Sequence, residues 1–306
     1  MPNGHLYMAR FGIVVANKFG GKIYIDQMTT DELRDRINEC DIVFLPCGAV
    51  ENHGPQAPIG EDIYIGTYIA ERVAYETGIS VAPPIFYGSH PSHHHGMFGT
   101  IPVKKDFYIG YVTSVVKWLS HTGFKKIIIF NSHGQEYVLP IVKDNAIIEE
   151  NVHALIFVTS WWAFVRDILR VGTELKPGLV IETPFIHADE VETSVTWYVV
   201  PHLVKPEKFE EAKAERMMAV LPEKWADKAG NVYGRPFGWY DISQYMEIEY
   251  YPKGSVGDPT KSNREKGEVI VETAVKRIIE FVEWLKETYP VHKVPRVWPP
   301  EGAFKF

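Results

Sequence analysis

The sequence predicts a three-layer α/β/α sandwich with a mostly parallel central sheet. Three observations carry that expectation: wholly apolar runs recur along the chain, segments with helical start and stop signals stand between them, and no repeat or low-complexity tract interrupts the first two hundred residues. The runs over 41–47 (DIVFLPC), 126–131 (KIIIFN) and 154–159 (ALIFVT) are continuous rather than alternating, as strands are when helices cover both faces of their sheet. Alternation of such strands with helices is the pattern of α/β/α layering. A chain of 306 residues can bury about 75% of its unfolded surface, so neither a disulfide nor a metal is needed to hold a core, and a single domain over 1–306 is expected.

Taken in order, a first helix is expected over 30–39, where Thr30 precedes acidic residues, and the strand at 41–47 follows. Helices over 62–77 and 106–122 stop at Gly78 and Gly123. The strands at 126–131 and 154–159 come next, and a further helix begins near Asp189. The stretch 222–260 stands apart, with Tyr233, Phe237, Trp239, Tyr240, Tyr245, Tyr250 and Tyr251 among glycines and prolines. It reads as an aromatic-rich insertion that either covers a site or packs against another subunit. A last helix over 264–288 carries Ile270, Ala274, Ile278, Phe281, Val282 and Leu285 in one apolar stripe, as core packing requires.

Composition narrows the function classes. Lys and Arg number 32 against 39 Asp and Glu, a net charge of −7, the wrong sign for general nucleic-acid affinity, and no local basic patch compensates. The two cysteines, Cys40 and Cys47, flank one apolar strand and read as reduced core thiols, which argues against an oxidising compartment. No stretch approaches the ~18 apolar residues of a membrane span, and 1–17 lacks an apolar run ending in a small-residue cleavage site. The expectation is a soluble cytoplasmic protein with no nucleic-acid or membrane partner. The twelve histidines are a mild excess whose meaning depends on position.

In α/β folds ligands sit outside the carboxyl ends of the strands, so the residues after each apolar run carry the functional argument. The first run exits into Gly48-Ala49-Val50-Glu51-Asn52-His53-Gly54-Pro55, and Asp62 follows nine residues beyond His53. Glu51 and His53 are two apart, so in an extended segment an oxygen and an imidazole nitrogen share a face and can meet one cation. Asp62 also suits a simple helix cap. The second run exits into Asn131-Ser132-His133-Gly134-Gln135-Glu136, a second ligand type at the same sheet edge. The third exits into Ser160-Trp161-Trp162, and downstream stands His187-Ala188-Asp189-Glu190-Val191-Glu192-Thr193-Ser194. The paired tryptophans suit either core packing or the wall of a pocket for a ring-shaped ligand. His187 and Glu192 are five apart and would not share a helix face, so that segment begins as a loop.

The first element, with Pro58-Ile59-Gly60-Glu61-Asp62, resembles the signature of the creatininase (creatinine amidohydrolase) family. The segments from Asn131 to Glu136 and from His187 to Ser194 are similar to its second and third elements, and Gly257-Asp258-Pro259 with Glu265-Lys266-Gly267 to a fourth. The four occur in order over about residues 25 to 288; the first is specific, the others weak alone. The resemblance implies two divalent metal ions per subunit, zinc or manganese, with Fe²⁺ also compatible. Glu51 and His53 would bind different ions, Asp62 would bridge them, and His133 would complete the first. Creatininase itself has a glutamate where Gln135 stands; by resemblance Glu192 is the fifth ligand, with Gln135 and Glu136 as weaker candidates. His187 aligns with the catalytic histidine.

By the same resemblance, a hydroxide bridging the ions attacks a ring carbonyl, His187 gives a proton to the leaving atom, and Trp161 or Trp162 holds the ring. The family contributes to its substrate pocket where this chain has Ser89-His90-Pro91-Ser92-His93-His94-His95. Imidazoles there, His93 and His94 foremost, suit a polyol-derived ring, with Gln135 a further substrate contact. Hydrolysis of a C–C bond in a dehydrogenated inositol is therefore expected ahead of cyclic-amide or formamide hydrolysis. A non-catalytic metal- or sugar-binding protein is the rival of another class. Relatives form hexamers, so a homo-oligomer acting on a small cyclic molecule is expected.

Overall fold

The computed structural model describes residues 15–214 and 251–296. Four strands, β1 (Ile42–Cys47), β2 (Ser80–Val81), β3 (Lys126–Asn131) and β4 (Leu155–Ser160), form a parallel sheet of spatial order β2-β1-β3-β4. The chain leaves β1 toward β2 on one side and later returns to place β3 on the other, so strand order switches direction between β1 and β3. Cys47, Asn131 and Ser160 lie in register, which brings three strand exits to one edge.

The helices divide between the two faces because each strand's side chains alternate. Ile42, Phe44, Ile128 and Phe130 face one core with residues of α2 (Glu61–Thr77), α5 (Glu190–Val199) and α7 (Arg264–Thr288). Val43, Leu45, Cys47, Ile127 and Ile129 face the other, with α1 (Thr30–Glu39), α3 (Lys105–Thr122) and α4 (Leu139–Ile148). A short helix, α6 (Phe209–Ala212), and a small antiparallel pair, β5 (Glu174–Lys176) with β6 (Leu179–Val180), complete the described elements. This is the expected α/β/α layering. Among the described residues no helix is long and apolar enough to cross a membrane.

The local signals fall within a residue of the observed boundaries, with informative differences. The cap of α1 is Thr29 rather than Thr30: its side chain accepts from the Glu32 amide while the Glu32 carboxylate accepts from the Thr29 amide, a capping box. Asp62 lies inside the first turn of α2, which has no side-chain cap, so helix capping does not account for it. The fourth strand ends one residue later than its apolar run, at Ser160. Helix α4 has no counterpart among the expected elements, since residues 139–148 are apolar nearly all round and offer no clean period; Pro140 sits at its first turn, where its missing N–H is harmless. Both cysteines are free, but only Cys47 is fully buried, its thiol pushed up to about 12 by burial; Cys40 is half-buried. Most of the aromatic-rich stretch, 215–250, lies outside the described residues. Its end does not: Tyr251 and Val256 pack with Ile186 and Ala214, beside the loop that leads into α5.

Candidate metal centre

The crevice between the exits of β1 and β3 gathers Glu51, His53, Asp62, His133, His187 and Glu192, each no more than 8% exposed. Close packing of backbone puts them there. At Gly48 a side chain would run into the backbone of Ile63, so the β1 exit lies directly on the first turn of α2 and sets Glu51 beside Asp62. The β3 exit is tied to the same turn, since the Ser132 amide donates to Cys47 O at 3.0 Å and its hydroxyl to Asp62 O at 2.6 Å.

Three histidines share one arrangement. His133 Nε2–H donates to Ser89 O at 3.1 Å, His53 Nδ1–H to Glu51 O at 3.1 Å and His187 Nε2–H to Asn52 O at 2.8 Å. A carbonyl only accepts, so each ring keeps its proton on the outer nitrogen and turns its other nitrogen inward. Those inner nitrogens meet carboxylates. His133 Nδ1 stands 2.9 Å from Glu51 Oε2 and 3.2 Å from Asp62 Oδ2; His53 Nε2 stands 3.5 Å from Asp62 Oδ1 and 3.9 Å from Glu192 Oε2. His187 Nδ1 is 3.7 Å from Glu192 Oε2 and 4.0 Å from Glu51 Oε2. Lone pairs thus face lone pairs across a buried space, an arrangement that repels itself unless a positive charge sits between. His53 Nε2, Asp62 Oδ2 and His133 Nδ1 have no hydrogen-bond partner among the described residues. An imidazole pinned by a backbone carbonyl on its far nitrogen is the usual support of a metal ligand.

Electrostatics point the same way. Burial opposes charge on His133, yet the carboxylates of Glu51 and Asp62 lift it to about 10, and those of Glu61, Asp62 and Glu192 raise His53 well above its ordinary value. Burial also works against the Glu51 carboxylate, but His133, His94 and His187 hold it well below the usual range. A proton fills these positions when no cation does. His187 differs: burial pulls it down to about 4 although Glu51 opposes, so it is neutral at neutral pH with its Nδ1 lone pair available.

The two oxygens of Asp62 face different imidazoles. Its Oδ2 faces His133 and Glu51, and its Oδ1 faces His53 and, beyond, Glu192. The donor atoms of His53, Asp62 and Glu192 lie within 4.8 Å of one another, as do those of Glu51, His53 and His187. Borderline divalent ions such as Zn²⁺ and Mn²⁺ suit this mixture of imidazole and carboxylate.

Residues 26–282 match the family model described as Creatininase: Creatinine amidohydrolase. The chain belongs to the creatininase family. It is 40% identical over 275 residues, 89% of this chain and 86% of the relative, to 3-dehydro-scyllo-inosose hydrolase of Thermotoga maritima. Among solved structures, a mutant creatininase of zinc–zinc type superposes with a TM-score of 0.69 at 23% identity, covering 87% of this chain and 98% of that one. Manganese creatininase superposes with a TM-score of 0.68 at 23% identity, over 88% and 99%. As a creatininase-family protein the chain is a hydrolase, and its clustered imidazoles and carboxylates could hold a metal ion.

Within the same crevice Glu192 Oε2 stands 3.9 Å from His53 Nε2. Asp189 caps α5, accepting from the Val191 and Glu192 amides at 2.7 and 3.1 Å, and Glu192 in the first turn accepts from the Ala188 amide at 2.6 Å. Gln135 is engaged elsewhere: its Oε1 accepts from the Ser89 amide at 3.1 Å, and its Nε2 donates to Asn131 Oδ1 at 3.1 Å. The carboxamide therefore anchors the loop at 88–95, and the sequence expectation of a ligand or substrate contact is replaced by that role. Glu136 is exposed and outside the clusters of donor atoms. Trp161 and Trp162 are 1% and 7% exposed and pack edge-on against each other and near Phe185, so core packing rather than a pocket wall accounts for both rings. The side chain of His93 lies outside what the structure describes. His94 is buried with Nδ1 against Glu51 Oε1, and His90 is buried with its ring centroid 4.4 Å from that of His133; His95 is exposed.

Other supports come from Gln56 and Ser255, which carry no sequence signal of their own, and from the late shared segment. Gln56 Nε2 and Ser255 Oγ both donate to Ala188 O at 3.0 Å, holding Ala188 at a φ of +49° between His187 and Asp189. The Val256 amide donates to His187 O at 2.9 Å, and a side chain at Gly257 would strike Asp189. Lys266 Nζ reaches Glu190 Oε1 at 2.7 Å, and Gly267 lets α7 lie directly on Ser194 O. The late shared segment thus braces the start of α5. Its order in the sequence was legible, its contact with the His187 loop was not.

Proposed function

We propose that the chain hydrolyses a C–C bond in a dehydrogenated inositol at a site holding two divalent cations. The observation that carries this reading is the set of buried inner nitrogens of His53 and His133 aimed at the two oxygens of Asp62, with Glu51 and Glu192 completing two cationic positions around one shared carboxylate. The likeness to 3-dehydro-scyllo-inosose hydrolase supports the substrate class. Cations there would supply Lewis acidity toward a carbonyl oxygen and lower the pKa of water toward neutrality. The chain's own residues do the rest. His187, neutral and fixed by Asn52 O, turns Nδ1 toward the space between Glu51 and Glu192 and takes the proton from the attacking water. The bond from the hydrated carbonyl carbon to its neighbour breaks toward the neighbour, and the same Nδ1 returns the proton to that carbon, leaving a carboxylic acid and a C–H bond. The acid role expected for His187 is the second half of this cycle. The loop at 88–95 borders Glu51 with imidazoles that can meet ring hydroxyls. A cytoplasmic homo-oligomer goes with this reading on the strength of the family resemblance.

Side-by-side assay of oxidised inositols, creatinine and formylated amines tests the proposal. Ring opening of an oxidised inositol supports it, and turnover confined to creatinine or a formamide overturns the substrate class. His187→Ala should keep its metal and lose about 10²–10⁴ in turnover; undiminished turnover removes His187 from the reaction.

A further inference from the structure

The β1–β3 crevice has a further buried imidazole that the family's ligand set does not use. His90 is 4% exposed, and neither of its ring nitrogens has a hydrogen-bond partner among the described residues. Leaving a buried polar group unpaired costs about 1–3 kcal/mol, so such a group in a native protein calls for a ligand. The position of His90 is tightly built. At Gly88 a side chain would meet Ala49, the Gly48 carbonyl and the ring of His133 at about 3 Å, so the loop backbone lies directly against the centre. Ser89 is held at three points: its amide donates to Gln135 Oε1 at 3.1 Å, its carbonyl accepts from His133 Nε2 at 3.1 Å, and its hydroxyl pairs with Tyr137 OH at 3.1 Å. The next residue, His90, is thereby delivered with donor atoms of Glu51, His90 and His133 within 4.8 Å of one another.

We propose that His90 is a further protein ligand of the ion held by Glu51, Asp62 and His133, and that Gln135 serves this ligand by fixing Ser89. The proposal rests on the two-cation reading of the site. It explains a residue that otherwise looks like a lost ligand: with glutamine at 135, a carboxylate donor is exchanged for a clasp that brings in an imidazole through the neighbouring backbone. The neutral ring adds a donor without lowering the net positive charge of the centre. It also makes the two positions unequal. The first has four protein residues and is closed in the manner of structural zinc; the second, with His53, Asp62 and Glu192, keeps a position open for water or substrate. The first ion should therefore exchange slowly and the second readily.

The test is metal retention. Zinc-loaded protein is titrated with a competing chelator, and the zinc remaining per chain is measured by elemental analysis. Wild type should release its ions in two separated steps. In His90→Ala, with folding checked by circular dichroism, the tighter step should move by at least the ~10–100-fold seen for loss of a supporting residue and merge with the looser one. His95→Ala, on the exposed side of the same loop, should titrate like wild type. Folded His90→Ala with both steps unmoved overturns the inference and leaves the two-cation reading standing. Wild type that never holds more than one zinc per chain overturns both. Should His90→Ala fail to fold, His90→Leu, which fills the buried space without a donor atom, is titrated in its place: a shifted tighter step supports His90 as a ligand, and an unmoved one overturns it.

Discussion

The two halves of the centre are held by different means. Glu51, His53 and His133 come from the exits of adjacent strands in register, and the rings of His53 and His133 are pinned by carbonyls of Glu51 and Ser89 at the same sheet edge. His187 and Glu192 come from a loop and helix start far along the chain, held over the crevice by Gln56, by Ser255 and Val256, and by the packing of α7 on α5. The strand-exit half is held within one sheet edge; the α5 half is a clasp whose geometry depends on several distant contacts. The difference teaches that the side built on Glu51 and His133 can be kept while the α5 side, which carries both Glu192 and His187, is disturbed.

The largest test removes what the halves share. Asp62→Ala should lose both ions by elemental analysis and cut hydrolysis by more than about 100-fold, since it takes out a ligand where loss of a mere support already costs about 10–100-fold. Retention of one ion at wild-type affinity would show that the halves do not meet at that carboxylate.

A second test uses pH. In the metal-free chain His133 is raised to about 10 from an ordinary 6.5. The folded form then keeps a proton that the unfolded form has released, so its stabilising contribution is present below about 6.5 and is lost as pH rises toward 10. Chelated protein should melt at progressively lower temperature from pH 7 to pH 9. Metal binding expels that proton, so zinc affinity should rise by up to about tenfold per pH unit over the same window. His187, lowered to about 4, has the opposite sign and adds stability only as pH rises from about 4 to 6.5. Glu192, raised well above its ordinary range by burial, has the same sign as His133, so Glu192→Gln is the variant in which the slope of the strand-exit half is read alone. A chelated protein whose melting temperature climbs across pH 7 to 9 would break the assignment of this slope to the strand-exit half.

The smallest effect sharpens the clasp. Ser255→Ala removes a hydrogen bond to Ala188 O that Gln56 only partly replaces, and should cost about 1–3 kcal/mol in urea unfolding. Turnover should fall several-fold with the tighter of the two ions retained. Loss of both ions in step with turnover would mean that the halves are not separable.

Much of this was legible in the chain. The apolar runs gave β1, β3 and β4, and Gly78 and Gly123 marked the ends of α2 and α3, because strand burial and helix termination are local properties. Glu51, His53 and His133 stood out because they follow strands directly, and Asp62 by its place nine residues beyond His53. Trp161 and Trp162 misled for a related reason: a strand exit can lead into a pocket or into the core, and only the neighbours, here Phe185 and the α5–α7 layer, decide which. Gln135 likewise looked like an altered ligand until Ser89 was found on its carboxamide oxygen.

By itself, then, the sequence determined the layered α/β architecture and singled out the polar residues at the strand exits, since both follow from periodicity and from residues close to one another along the chain. Only the tertiary structure decided which carboxylate joins His53, that His187 turns its unprotonated nitrogen inward, and that His90 lies against His133. Those outcomes depend on carbonyls and amides of Asn52, Ser89 and Ala188 meeting side chains from other segments, and no spacing in a sequence encodes which backbone group a ring will face.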